Sequence, residues 1–177
     1  MGNAKERISK MMDKARKAQK ESESYSQKRV DELVKAIAIK CMKEENAMEN
    51  AKLAVEEGKM GKVEDKYNKI LAKVKGTYND IKDMKTVGKI EEIPEKGITK
   101  FAKPVGVVGG LIPSTNCEAT PPIKGLFTIK GCNAIIMAPH PRTKKTSCMM
   151  VDLMREALEE SGANKDLIQC IKEPTLE

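Results

Sequence analysis

The polar and apolar positions of residues 1–85 repeat at helical spacing and predict four successive amphipathic helices. The first covers residues 4–20, and the second begins after Ser26, a residue type that caps helix N-termini well. The third covers residues 45–57 and ends near Gly58, and the fourth covers residues 62–82. The side chains expected on the inner faces are Ile8, Met11, Met12, Ala15, Ala18, Val30, Leu33, Val34, Ile37, Cys41, Tyr67, Ile70, Leu71, Val74, Tyr78 and Ile81.

The pattern changes at residues 86–103, where two short apolar runs replace the helical repeat. They flank the four residues "PEKG", in which Pro94 presets a turn and Gly97 closes it. This stretch is therefore predicted to form a β-hairpin.

Residues 104–177 alternate between apolar runs and amphipathic helical segments. "PVGVVGGLIP" and "NAIIMAP" read as strands buried on both faces, and "DLIQCI" reads as a third strand. Between them, one helix has Pro121 and Pro122 in its first turn, and a second is closed by Gly162. We therefore predict an α/β protein: N-terminal helices (1–85), a hairpin (86–103), and the first β-α-β-α-β half of a Rossmann-like, nucleotide-binding parallel sheet (104–177).

Charge and cysteine usage narrow the functional classes. The formal net charge is +7, but Lys and Glu alternate through the first hundred residues without interleaved aromatic side chains, so we expect no nucleic-acid partner. The five cysteines contain no CxxC pair, which predicts neither a metal site nor a disulfide framework and favours reduced thiols in the cytoplasm. No apolar run reaches about 18 residues, and the N-terminus lacks a signal segment, so we expect no membrane association.

Two loops follow the first two strands of the predicted sheet, "IPSTNC" at residues 112–117 and "APHPRTKK" at residues 138–145. Ligands of such sheets bind beyond the carboxyl ends of the strands, so the two loops should be neighbours. Ser114, Thr115 and Asn116 offer short donors at a helix start. Cations sit poorly at a helix N-terminus unless an anion lies between, which favours a bound phosphate beside His140, Arg142, Lys144 and Lys145.

The segments "KPVGVVGGLIPSTNCEAT", "LFTIKGCNAIIMAPHPRTKKTS" and "LMREALEESGANKDLIQCIKEPT" closely resemble the aldehyde dehydrogenase superfamily. The nearest branch is the acylating, CoA-dependent one, which includes acetaldehyde and sulfoacetaldehyde dehydrogenases. The helical segments "KARKAQKESESYSQKRVDELVKAIA" and "GKVEDKYNKILAKVKGTYNDIKDMKTVG" resemble the same branch, so the likeness covers nearly the whole chain.

The resemblance implies roles for particular residues. Members of the branch oxidise an aldehyde on a cysteine, pass hydride to NAD(P)+ and release the acyl group to CoA. Asn116 matches the asparagine that donates a side-chain N–H to the developing oxyanion. His140 and Pro141 match the His-Pro pair beside the adenosine ribose, and Arg142 could meet a phosphate. The cofactor-binding set is then Ile112, Pro113, Ser114, Thr115, His140, Pro141 and Arg142.

The chain stops before the segments that carry the Gly-rich turn, the nucleophilic cysteine and the catalytic domain in the family. Cys117 follows Asn116 at a helix start, where a thiolate is stabilised, but the family has Pro there and no general base is evident. We expect an N-terminal segment of an acylating dehydrogenase, inactive alone and marginally stable or sticky. The alternative is a non-catalytic module that binds a nucleotide or CoA, self-associates, or docks on a full-length enzyme.

Two positions depart from the resemblance in ways that suggest relaxed constraint. Ser22 stands where an aromatic side chain is usual, and Cys132 stands where a basic one is usual.

Overall fold

The computed structural model of the chain describes residues 2–175. The helices, in chain order, are α1 Gly2–Ser22, α2 Gln27–Met42, α3 Glu44–Gly58, α4 Val63–Ile81, α5 Thr120–Lys130 and α6 Lys144–Glu160. The strands are β1 Gly88–Ile93, β2 Ile98–Ala102, β3 Val107–Ile112, β4 Ala134–Pro139 and β5 Ile168–Cys170. The predicted fold class is confirmed: helices lead into a hairpin and then into a parallel α/β sheet.

The parallel sheet has the order β3-β4-β5, and the antiparallel β1–β2 hairpin stands apart from it. Helix α1 packs on the sheet without extensive contact to α5 or α6, so it covers the opposite face from those two helices. Helix α2 packs on α5 and α6 and is itself covered by α3 and α4. The core therefore runs continuously from the N-terminal helices through the sheet.

Helix α2 shows how the sequence produces this packing. The side chain of Ser26 accepts a hydrogen bond from the backbone N–H of Arg29, as the capping prediction requires. Val30, Leu33 and Ile37 lie on one stripe of the helix and are fully buried. Full burial of such a side chain contributes about 2 kcal/mol, so this stripe holds α2 in the core.

The prediction that β3 is buried on both faces is wrong. Within residues 2–175, β3 pairs only with β4, and the Leu111 side chain is 78% exposed. Val105, just before the strand, is 84% exposed. The continuous apolar run of β3 therefore belongs to a strand with one exposed face and one unpaired edge. Such a surface favours self-association, as expected for the chain.

Helix α3 ends at Gly58 as predicted, but the left-handed residue that closes it is Lys59, with φ of 53°. A side chain with a Cβ adopts this conformation at a cost of about 1 kcal/mol. Lys59 is exposed, and its backbone N–H donates to the carbonyl of Val55. We expect Lys59→Gly to raise the free energy of unfolding by about 1 kcal/mol in urea titrations.

Lys59→Ala is the matched control for that prediction, because alanine removes the charge and keeps the Cβ. It should leave the unfolding midpoint nearly unchanged. Equal stabilisation by glycine and alanine would show that the ammonium group, and not the backbone conformation, is the unfavourable feature.

Ser22 and Cys132, the two positions that depart from the family resemblance, are in direct contact. Cys132 adopts a left-handed conformation with φ of 54°, and its carbonyl accepts hydrogen bonds from Ser22 Oγ at 3.0 Å and Gln19 Nε2 at 3.2 Å. All three residues are buried. These hydrogen bonds join the C-terminal end of α1 to the turn before β4 through the Cys132 backbone.

Candidate functional site

The two loops singled out from the sequence lie side by side at the carboxyl edge of the sheet, as predicted. Ile112 at the end of β3 is in register with Pro139 at the end of β4. The backbone N–H of His140 donates to the carbonyl of Ile112 at 3.0 Å and joins the first loop to the second. The sheet register therefore fixes how the loops face each other.

The first loop is a single 3-10 turn, Ser114–Asn116, that follows the extended residue Pro113. Pro113 and Thr115 are exposed, Ser114 and Asn116 are partly buried, and Ile112 lies beneath them. The Asn116 Oδ1 atom is buried without a hydrogen-bond partner among the described residues. Buried polar atoms usually have partners, and a catalytic or binding role is one recognised reason for an exception.

The second loop is a 3-10 turn, Pro141–Thr143, that His140 caps with its own side chain. His140 Nδ1 accepts from the backbone N–H of Arg142 at 3.1 Å, so the neutral ring carries its proton on Nε2. His140 and Pro141 are partly buried, and Arg142 is exposed. The histidine thus shapes its own loop and leaves the guanidinium of Arg142 at the surface.

The start of α6 is occupied by a carboxylate from another helix. Glu57, in the last turn of α3, accepts from the backbone N–H groups of Lys145 and Thr146 at 3.1 and 2.7 Å, and from Thr146 Oγ1 at 2.7 Å. Lys144 pairs with Glu173 at 2.5 Å. The anion predicted to offset the cations at this helix start is therefore the protein's own Glu57, and the helix N-terminus gives no separate support for a bound phosphate.

A buried ion cluster lies under the first loop. Glu118 is fully buried, and its carboxylate pairs with Lys66 at 3.1 Å and with Lys69. The Lys66 ammonium group also donates to the carbonyl of Thr115 at 3.2 Å. A cavity of about 280 Å³ adjoins both lysines and Thr115. The cluster ties helix α4 to the turn that carries Asn116.

Burial and the charges of this cluster shift the pKa values of Glu118 and its neighbour Cys117 in opposite directions. Burial alone would raise the pKa of Glu118, but hydrogen bonds from Lys69, the backbone and Lys66 outweigh it, so the pKa is lowered. Burial, followed by the adjacent Glu118 charge, raises the pKa of Cys117 to about 11. The Cys117 thiol is fully buried and protonated near neutral pH, as expected of a structural cysteine.

Glu57 and the Lys66–Glu118–Lys69 cluster were not found from the sequence. Lys66 lies four residues before Ile70 and eight before Val74, so it is on the same buried face of α4 as these two side chains. A lysine in an apolar stripe signals a buried partner. Nothing in the sequence around Glu57 indicates its role, because the N–H groups it binds lie at the start of α6, far along the chain.

In residues 2–175, no group of three or more His, Cys, Asp or Glu side chains is placed to hold a metal ion. None of the helices there combines the length and apolar character that a bilayer crossing requires. A cofactor would be held by the exposed groups of the two loops, chiefly Thr115, Arg142 and the turn around Asn116.

Comparison with known proteins matches residues 2–176 to the aldehyde dehydrogenase family model. A sulfoacetaldehyde dehydrogenase of an Acholeplasma species is 48% identical over 93% of this chain and 34% of the relative. An acetylating succinate-semialdehyde dehydrogenase of Clostridium kluyveri is 45% identical over 96% of this chain and 37% of the relative.

Solved structures give the same result. An acetylating aldehyde dehydrogenase from Geobacillus thermoglucosidasius superposes with a TM-score of 0.93 at 40% identity, over 97% of this chain and 37% of that one. The chain therefore spans a little over one third of the length of the proteins it matches.

Proposed function

This chain belongs to the aldehyde dehydrogenase family, and we propose that it forms the coenzyme-binding edge of a CoA-acylating aldehyde dehydrogenase. The parent reaction is aldehyde + CoA + NAD(P)+ to acyl-CoA + NAD(P)H + H+. Relatives named as acylating or acetylating dehydrogenases support the reaction class. NAD(P)+ supplies the hydride acceptor, and CoA supplies the thiol that carries the acyl group away.

Within that reaction, Asn116 is proposed to donate its side-chain amide N–H to the oxyanion that forms at the aldehyde carbon. An amide donor held by a short turn is positioned before charge develops, and the loss of one such donor costs about 100- to 1000-fold in rate. The ion cluster beneath Thr115 supports this role, because it anchors the turn from below.

The cofactor wall is proposed to comprise the surfaces of both loops. His140 and Pro141 would contact the adenosine ribose, and Arg142 would pair with a phosphate through charge-assisted hydrogen bonds. Pro113, Ser114 and Thr115 would line the adjoining surface above Ile112. The observation that carries the proposal is the His140-to-Ile112 hydrogen bond, because it holds the two motif loops together using residues of this chain alone.

The chain itself is proposed to bind nucleotide without turning over aldehyde. All five of its cysteines are buried, and the one beside Asn116 has a raised pKa, so none supports a nucleophilic role there. Reduced thiols fit a cytoplasmic setting. Catalysis would then require the remaining segments of the family fold, whether on one chain or on a docked full-length enzyme.

Calorimetric titration of the chain with NAD+, NADP+ and CoA tests the proposal. We expect heat with at least one nicotinamide dinucleotide, and no NAD(P)H formation when acetaldehyde and CoA are added. Arg142→Ala should weaken dinucleotide binding about tenfold, because a hydrogen bond between charged groups is lost.

Lys28→Ala, at an exposed cation on α2, is the matched control and should bind as the unchanged chain does. A folded chain that gives no heat with any of the three ligands would contradict the proposed cofactor wall. Heat with CoA alone would favour the alternative, a non-catalytic CoA-binding module.

A further inference from the structure

Helix α6 and strand β5 bring two cysteines together that the mechanism above does not use. Cys148 lies in the second turn of α6, and Cys170 is the last residue of β5. The two elements pack on each other, and the two thiols lie close enough to affect each other's ionisation. Their separation in sequence gave no hint of this contact, because only the fold places α6 against β5.

The two thiols are more accessible than the other buried cysteines of the core. Cys148 and Cys170 are each 9% exposed, whereas Cys41 and Cys117 are fully buried. Cys148 borders a surface cavity of about 460 Å³, and Cys170 borders a second one of about 570 Å³. Asp152 lines both cavities, so each thiol borders a surface depression and the two depressions share this residue.

The surrounding charges make the pair asymmetric. Interaction with the Cys170 thiol lowers the pKa of Cys148 and Lys172 lowers it further, against the opposing effects of burial, Asp152 and Glu57. The same interaction, together with burial, raises the pKa of Cys170. Of the two, Cys148 is the better source of thiolate, which is the nucleophile in thiol–disulfide exchange.

We propose that Cys148 and Cys170 form a reversible intramolecular disulfide by exchange with a low-molecular-weight disulfide. The Cys148 thiolate attacks one sulfur of the reagent and displaces a thiolate, which leaves a mixed disulfide on Cys148. Cys170 then loses its proton to solvent, attacks the Cys148 sulfur and releases the second thiol. The net reaction consumes one disulfide and two cysteine thiols and yields one protein disulfide and two small thiols.

This bond would join α6 to β5 at the end of the sheet opposite β3, and it does not depend on the proposed dehydrogenase function. The structure places both partners on regular elements, so oxidation would link secondary structure that already touches. We expect the oxidised chain to melt at a higher temperature than the reduced one, because the cross-link restricts the unfolded state.

The test uses the folded chain incubated with glutathione disulfide, then denatured, alkylated and digested with trypsin. Peptides 146–155 and 166–172 each contain one cysteine, and we expect them to appear linked in the mass spectrum. Dithiothreitol should separate them. The absence of this linked pair from a chain that stays folded, as judged by circular dichroism, would overturn the proposal.

Variants test the order of attack. Cys170→Ser should accumulate a stable glutathione adduct on residue 148, whereas Cys148→Ser should acquire no comparable adduct on residue 170. Cys41→Ser, at a fully buried thiol, should leave the linked pair unchanged. Equal adduct yields in Cys148→Ser and Cys170→Ser would overturn the assignment of Cys148 as the attacking thiol.

Discussion

Replacing Glu118 with alanine is expected to destabilise the chain by about 3–5 kcal/mol, since it leaves a buried lysine without its counter-charge. Lys66 is nearly as buried as Glu118, and within the cluster its ammonium group would retain only the Thr115 carbonyl. Chemical denaturation of both proteins measures the loss. We also expect the turn around Asn116 to become mobile, because its anchor to α4 is gone.

The double variant Glu118→Met with Lys66→Met separates charge from packing. Removal of both partners avoids the unpaired buried charge, so its loss should be much smaller than that of Glu118→Ala. Lys69→Met should also cost less than Glu118→Ala, because Lys69 is one third exposed and Lys66 still neutralises the carboxylate. A double variant as unstable as the single one would refute the role of charge.

The same cluster should make the chain sensitive to acid. The folded-state pKa of Glu118 lies below its ordinary value of 4.5, so its contribution is fully present above that pH and is lost as pH falls through the lowered value. Unfolding free energy measured from pH 6 downward should therefore fall more steeply in the unchanged chain than in Glu118→Met with Lys66→Met. If unfolding free energy fell with pH equally steeply in both proteins, Glu118 would not be the source of the acid sensitivity.

Glu57→Ala is expected to cost about 2 kcal/mol, because it removes the carboxylate that accepts from two backbone N–H groups at the start of α6. Those donors would turn to water, and α6 would fray from its first turn. Denaturant midpoints give the size of the loss, and amide hydrogen exchange at residues 145–147 gives its location.

Glu56→Ala is the matched control, since Glu56 is the exposed neighbour on the same helix and should change stability little. Glu57→Gln keeps an acceptor oxygen but loses the charge. Its loss of unfolding free energy should therefore lie between the losses in Glu56→Ala and Glu57→Ala. A loss in Glu56→Ala equal to that in Glu57→Ala would mean that helix propensity, and not the cap, is responsible.

Local rules predicted the elements of this chain well. Ser26 caps α2, Pro121 and Pro122 occupy the first turn of α5, and Gly97 closes the hairpin in a left-handed conformation. These features depend on residues within a few positions of one another, so the sequence carries them directly. The neighbouring placement of the two loops also followed, because parallel strands bring their carboxyl ends to one edge.

The contacts that sequence reasoning missed join residues far apart in the chain. Glu57 and Thr146 are 89 positions apart, and Lys66 and Glu118 are 52 apart. The only local sign of either pairing in the sequence is Lys66, a lysine on the apolar face of a helix. The error in β3 has a related cause, since an apolar run does not say whether a neighbouring strand is present to cover it.

Helix α1 docks on the end of the described chain, and this has a consequence for the order of events during synthesis. Gln169 Nε2 donates to the carbonyl of Met11 at 3.0 Å, and Arg7 donates to the carbonyl of Glu173 at 2.9 Å, across 158 and 166 positions. Contacts of such separation form late, since the intervening chain must first be ordered. During synthesis α1 emerges long before β4 and β5, so its apolar face would stay uncovered until those strands are made, and α1 would be among the last elements to dock.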